Sequence, residues 1–366
     1  MSCDIIKICS IPRDKIVVIP YLFFVASLYC FLHATSHNDV LDARVGKGMP
    51  PAPVCLLRPA QRSLSFWSWS KPPKADFELV KPAPQLLDPF PIEQIPKRIP
   101  LPPYALTGDV DLSLIPKTAV IWEDSVQLAR IKAACQLARK VLEVVKSEVG
   151  PGVTTEQLDV RAREEILIHG AYPSCRNFHG FPKCISTSVN NVAAHGIPDS
   201  RALVAGDILN IDVTVFLNGF HGDCSDTVCV GEVDNHAKKL IKVTEDCVEQ
   251  AISICRPGEH IRKIGHVIHK TARASQCTTV PLFLGHGIGD FFHGPPDIYH
   301  CLNNYPGRLL PGMVFTIEPV VSEGDRKVKI LADGWTAVTL DNSRTAQKEH
   351  TVLITDTGVE VMKYSV

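Results

Sequence analysis

Neither sign of charge is in excess. The chain of 366 residues carries 38 Lys+Arg against 39 Asp+Glu, so no bulk positive field exists to hold a nucleic-acid backbone, and direct nucleic-acid binding is not expected. Aromatic residues are few, at 7% with 4 Trp, which disfavours a surface of stacked rings for bases or sugars. Cysteine is present but unpatterned. The 13 Cys are odd in number and include no Cys-x-x-Cys pair, which rejects a zinc ribbon or finger and offers no disulfide framework. Such usage fits a reducing compartment. Hydrophobic residues at 45% and charged residues at 21% describe an ordinary globular protein, long enough for a large core.

Proline is scarce in the body of the chain. Residues 1–118 hold 17 of the 28 Pro, and the other 248 residues hold 11. A packed domain is therefore expected over 118–366. The stretch from Pro82 to Pro103 is too proline-rich for a helix or a central strand. Residues 76–117 read as an extended arm or linker along the domain surface, and residues 1–75 as an N-terminal extension. Within it, Ile16–Leu32 is an apolar run of 17 residues interrupted by Pro20. It reads as a signal-peptide core or a short signal anchor, and membrane contact is expected only if residues 16–32 are retained. Acidic residues are missing from Ala43 to Ala75, where Arg, Lys and Ser recur and Met49 lies near the start. That is the composition of an organellar transit peptide over about 49–75. A tail without an address is the alternative.

Four helices are legible. Ser125–Val149 places Leu128, Ile131, Leu137, Val141 and Val145 on one face and ends at Gly150-Pro151. Thr154 and Gln157 form a capping box for a helix to about Gly170. Asn235 is placed to cap a third helix to about Cys255, and a fourth spans about Ile261 to Ala274. Overlaying Pro151 on Pro257 brings Ala134, Leu137, Val141 and Val145 onto Leu240, Val243, Cys247 and Ala251. The apolar positions stay in register, as two pseudo-symmetric halves would require. Strand-like runs cover Ile208–Phe216, Phe220–Val230, Met313–Val321 and Thr351–Ile354. Helices over one face of an antiparallel sheet make an α+β fold.

Asn218-Gly219 between two β-rich runs is a strong hairpin signal. With these two as the turn, Asp212 faces Ser225 and Asp223 is its diagonal neighbour at about 7–8 Å on the same face. Two carboxylates so placed on apolar strands repel, and a positive group belongs between them; otherwise one is protonated or reaches water. Asp207 and Asp226 fall on the opposite face and read as solvated. Matching metal donors lie downstream: His286 and His293 in a glycine-rich segment, Glu318 before Pro319, and Glu349 at the head of a strand-like run. Two Asp, two Glu and one or two His suit hard or borderline divalent cations, and carboxylates can bridge two of them.

In this order the motifs resemble the methionine aminopeptidases. HGIPD (195–199), NIDVTVFLNGFHGD (210–223), GHGIG (285–289), FHG (292–294), FTIEP (315–319) and AQKEHT (346–351) carry the likeness, which runs from about Pro96 to Val361. It implies the pseudo-two-fold pita-bread fold and two divalent ions, of Co, Mn, Fe or Zn. The implied ligands are Asp212, Asp223, His286, Glu318 and Glu349, with Asp223 and Glu349 bridging. It also implies that His195 and His293 contact substrate and stabilise the reacting carbonyl, and that Glu318 shuttles the proton. Cys175, Phe178, Phe181, Phe292 and Trp335 match the methionine pocket, although Trp335 read alone could equally be core. The family commonly has Cys where this chain has Ser186, with Cys184 two positions earlier on the same face of a regular strand. Glu318 and Glu349 stand 31 residues apart, too close for the insertion of type II members, which indicates type I. The arm PKRIPLPPYALTG (96–108) resembles that of the mitochondrial subgroup, so a mitochondrial address is expected, with a cytoplasmic or signal-anchored form as alternatives.

The implied activity is removal of the N-terminal methionine from newly made proteins with a small second residue, by a monomer. A proline-specific relative of the aminopeptidase P or prolidase kind is the second reading; the HGIPD element and the lack of an upstream domain count against it. A non-catalytic binding module on the same scaffold is the third, and the five filled ligand positions count against that.

Overall fold

A computed structural model describes residues 77–82 and 90–363. The extension with Ile16–Leu32 and the acid-free stretch lies outside the described residues. Among these, nine strands form one antiparallel sheet: β1 (Tyr172–Pro173), β2 (Ser186–Val189), β3 (Ile208–Leu217), β4 (Phe220–Cys229), β5 (Gly285–Gly287), β6 (Gly294–Ile298), β7 (Val314–Ile317), β8 (Glu349–Ile354) and β9 (Val359–Val361). Their order is β1–β3–β4–β8–β7–β5–β6, with β2 also on β3 and β9 also on β8.

The β3–β4 hairpin is the centre of the design. Asn218 and Gly219 both take positive φ, at 54° and 87°, as a two-residue turn matched to the twist of the strands requires. The register follows: Asp212 pairs with Ser225 and Thr214 with Asp223. Alternation then sorts the side chains. Asn210, Asp212, Thr214, His221, Asp223 and Ser225 share one face. Leu209, Ile211, Val213, Val215 and Cys224 share the other, where they pack beneath helices α1 (Ser125–Ser147) and α2 (Thr155–Ile168).

Helices α3 (Asn235–Ser253) and α4 (Arg262–Ala274) cover a second core over Phe315, Ile317 and Val352. The positions that stay in register between the halves are all buried: Ala134, Leu137, Val141 and Val145 in one core, Leu240, Val243, Cys247 and Ala251 in the other. The turns that follow α1 and α3 both use a glycine at positive φ, Gly152 and Gly258. The capping box at Thr154 and Gln157 is formed as expected.

Five expectations are corrected in detail. Asp234, one residue before Asn235, caps α3 by accepting from Ala237 N–H. The run Met313–Val321 does not stay one strand; it breaks at Glu318-Pro319, and Val320–Ser322 joins a separate three-stranded sheet, since Pro319 has no N–H to continue the ladder. Asp207 and Asp226 are buried, because their face of the hairpin is the helix-covered one. Asp207 pairs with Arg201 at 2.8 Å and Asp226 with Lys146 at 2.6 Å. Cys184 lies in a bend before β2, its N–H held by Asp159, so it does not share a strand face with Ser186. The arm is not extended throughout: it turns through short 3-10 helices at Ile92–Gln94 and Leu112–Leu114, and its buried Phe90, Ile95, Ile99 and Tyr104 pack against Tyr172, Phe178, Phe216 and Phe292.

Helix α1 sits unusually close to β4. A Cβ at Gly222 would come within 2.2 Å of the Ala134 and Cys135 backbone. Backbone on both sides cannot yield, so Gly222→Ala is expected to cost about 3 kcal/mol, or roughly 6–12 °C in thermal midpoint. Gly358→Ala, where nothing lies within 4 Å, should stay within about 0.5 kcal/mol. Thermal unfolding of both variants checks this.

Candidate active site

Strand alternation delivers three acidic residues to one row. Asp212 on β3 and Glu349 on β8 both pair with Ser225 on the strand between them. Glu318 follows Ile317, the β7 partner of His350. Asp223 stands two residues before Ser225 on the same face, and His286 comes from the middle of β5. Ligand atoms of Asp223, His286 and Glu349 all lie within 4.8 Å of one another. His286 Nε2 is 3.8 Å from Asp223 and 3.6 Å from Glu318.

No Lys or Arg among the described residues pairs with these four carboxylates. Their proton affinities show the strain. Burial, followed by the charges of Asp212 and Glu318, holds Asp223 well above the usual carboxylate range. Burial and then Asp223, Glu318 and Asp212 do the same to Glu349. Burial also raises Asp212 and Glu318, while it pushes His286 down to about 4. Oε1 of Glu349 is buried without a hydrogen-bond partner. Buried charges of one sign are tolerated only when paired or bound to a metal. A set of carboxylate oxygens plus one imidazole, with a buried carboxylate oxygen left without a hydrogen bond, fits a divalent cation.

The other candidates surround this cluster. His293 lies against His286, ring centroids 4.1 Å apart, and against Phe178 at 5.1 Å. Phe178 also meets Phe292 at 4.6 Å. Trp335 stands edge-on to Phe181 at 5.1 Å and within 6.4 Å of the His195 ring. His195 holds a left-handed backbone, φ 56°, a strained geometry that non-glycine residues keep where the surroundings impose it. The Cys175 thiol is 3.9 Å from the Thr214 hydroxyl. Ser186 pairs with Asp212 and directs its hydroxyl to the Gly196 carbonyl at 3.3 Å.

Sequence reasoning missed the residues that orient the carboxylates. Thr214 donates to Asp223 at 2.8 Å. Thr316 donates to Glu318 at 2.7 Å and accepts from the His286 N–H at 3.0 Å. Gln347 Nε2 reaches Glu318 Oε2 at 3.3 Å, and His300 Nε2 accepts from the Glu318 N–H at 3.2 Å. A signal existed: Thr214, Thr316 and Gln347 each lie two residues from Asp212, Glu318 or Glu349, the period of a strand face. His300 had no such signal.

Residues 129–356 match the model of metallopeptidase family M24. The mitochondrial methionine aminopeptidase 1D of Mus musculus is 46% identical over 278 residues, covering 74% of this chain and 80% of that protein. Among solved structures, methionine aminopeptidase from Rickettsia prowazekii superposes with TM-score 0.66 at 39% identity, over 67% of this chain and 99% of its own. Prolidase from Pyrococcus furiosus gives TM-score 0.52 at 19% identity, over 67% of this chain and 66% of its own, which is likeness of fold alone.

The raised carboxylates set a pH dependence. An acid that binds its proton more tightly folded than unfolded costs stability as pH rises through its folded pKa. The depressed histidines act the other way, but only below about pH 6.5, where the unfolded chain still takes up their protons. Between about pH 6.5 and 8 the carboxylates act alone. The thermal midpoint of metal-stripped protein should therefore fall over that interval, and saturating Mn2+ should remove the fall. A flat profile without metal would contradict the electrostatics described.

Proposed function

The chain belongs to metallopeptidase family M24 and, within it, to the methionine aminopeptidases, and on that premise we propose how its residues divide the work. It is a hydrolase that removes the N-terminal methionine of newly made proteins; a small second residue is part of the proposal. The observation that carries the site is the convergence of Asp223, His286 and Glu349 within 4.8 Å, with no basic side chain to balance them among the described residues.

Asp212, Asp223, His286, Glu318 and Glu349 would hold two divalent ions. Bound ions of this kind lower the pKa of water from about 16 toward 7 and polarise a carbonyl. Glu318 takes a proton from the attacking water and returns it to the departing amine as the bond after methionine breaks. Thr316 and Gln347 fix the carboxylate while that exchange occurs. His293 donates a hydrogen bond to the oxygen of the reacting carbonyl. Burial and the neighbouring histidines keep its pKa well below the usual value, so it acts as a neutral N–H donor. His195 contacts the peptide. Phe178, Phe181, Phe292, Trp335 and Cys175 receive the thioether side chain and exclude water; sulfur against ring edges is favourable.

The likeness to a mitochondrial relative supports a mitochondrial address, carried by residues 49–75. Action as a monomer on free N-termini is part of the same proposal.

The test uses the full-length chain, stripped and reloaded with Mn2+ or Co2+, on peptides beginning Met-Ala, Met-Leu and Ala-Pro. Methionine release from Met-Ala alone is expected. Cleavage of Ala-Pro alone would move the assignment to the proline-specific relatives, and no cleavage with metal bound would favour a binding module. In the same assay His293→Ala should lower kcat by about 10²–10³-fold while metal content stays unchanged. Parallel loss of metal would count against its role as a donor to substrate.

A further inference from the structure

The segment from Ile288 to His293 carries the imidazole that faces the reacting carbonyl, and one residue ties it to the sheet twice. The His221 backbone N–H donates to the Gly289 carbonyl at 2.7 Å. The His221 ring stacks on Phe292, centroids 5.1 Å apart and planes 9° from parallel. Phe292 in turn stacks on His293 at 4.1 Å and 18°. Behind His221 stand Phe216 at 4.7 Å and the arm residue Tyr104 at 6.3 Å and 16°. Nδ1 of His221 lies 2.9 Å from Ser174 Oγ, and the Ser174 carbonyl accepts from the Tyr104 hydroxyl at 2.6 Å.

His221 is buried, 1% exposed, and the reaction makes no direct use of it. A polar ring in an aromatic box costs stability unless its hydrogen bond is satisfied, and Ser174 satisfies it. That bond fixes the ring plane, where a phenyl would be held by packing alone. Strand β4 supplies a rigid reference. His221 precedes Asp223 by two residues on the same face, so the stack relates the His293 ring directly to the carboxylate cluster.

We propose that His221 is a positioning residue for His293, acting through Phe292, with Tyr104 of the arm as the buttress behind it. The proposal rests on the role of His293 in the reaction. Misplacing a reacting contact by about 1 Å can cost on the order of 10²-fold in rate, so a stack of this kind bears on kcat before it bears on binding.

The experiment compares two variants of the full-length Mn2+-loaded chain on a Met-Ala peptide. His221→Asn keeps a polar group and removes the ring; His221→Phe keeps the ring and removes the Ser174 contact. His221→Asn should lose about tenfold to a hundredfold in kcat, with KM within about twofold and metal content unchanged. His221→Phe should recover at least half of the wild-type kcat. On a His293→Ala background, His221→Asn should add little, because both act through one ring. An unchanged kcat in His221→Asn, or the same loss on both backgrounds, overturns the proposal. So does loss of metal in step with kcat. Should His221→Asn fail to fold, His221→Phe decides: a loss as deep as that of His293→Ala refutes the stack as the positioning contact. If His293→Ala itself leaves kcat intact, the role of His293 fails and takes this proposal with it. If only the His221 variants behave otherwise, that role stands.

Discussion

Four carboxylates crowded onto one sheet face, without a Lys or Arg partner among the described residues, are the constraint on which this structure turns. Asp212, Asp223, Glu318 and Glu349 are raised in proton affinity by burial and, for all but Asp212, by each other. No hydrophobic gain comes from placing them there. The two helix-covered cores supply the stability that tolerates the cluster, and the close approach of α1 to β4 at Gly222 shows how tightly one of them is applied. The site is a deliberate violation of the rule that buried charges be paired, maintained by packing on the far side of the same strands.

The pseudo-two-fold arrangement explains how one sheet gathers ligands from distant stretches of chain. Each half contributes a helix pair and a set of strands, and the meeting of β4 with β8 brings Asp223 beside Glu349. Ligands then come from the ends and middles of several strands, and second residues at period two, such as Thr214, Thr316 and Gln347, orient them. Rigid strands carry the carboxylates, while a glycine-rich segment carries His293. That division leaves His293 dependent on neighbours for its position, which is why the aromatic column from Tyr104 through His221 to Phe292 has a physical purpose.

The proline-rich arm takes part in the same column. Its composition forbids helix and central strand, yet Phe90, Ile95, Ile99 and Tyr104 are buried against Phe178 and Phe292. The arm runs through turns and a 3-10 turn at Ile92–Gln94, so its buried residues recur every four or five positions, and it forms one wall of a chamber of about 270 Å3 lined also by His221 and His293.

The sequence by itself determined the β3–β4 hairpin, its register, the shared face of Asp212 and Asp223, and four helices, because these depend on local chemistry: a turn that needs positive φ, a period of two, a period near 3.6, and a capping box. Its motifs also single out Asp223, His286 and Glu349, which the structure brings within 4.8 Å of one another. Only the tertiary structure decided what covers each face. Asp207 and Asp226 look solvent-facing on the strand pattern, but the helices bury that face and Arg201, Lys146 and Lys348 arrive from elsewhere to pair with them. The bend that separates Cys184 from Ser186 and the stack on His221 likewise depend on which distant segment lies alongside. Apart from the local pair of Arg201 with Asp207, these contacts join residues tens to more than a hundred apart in the chain, and no local pattern encodes them.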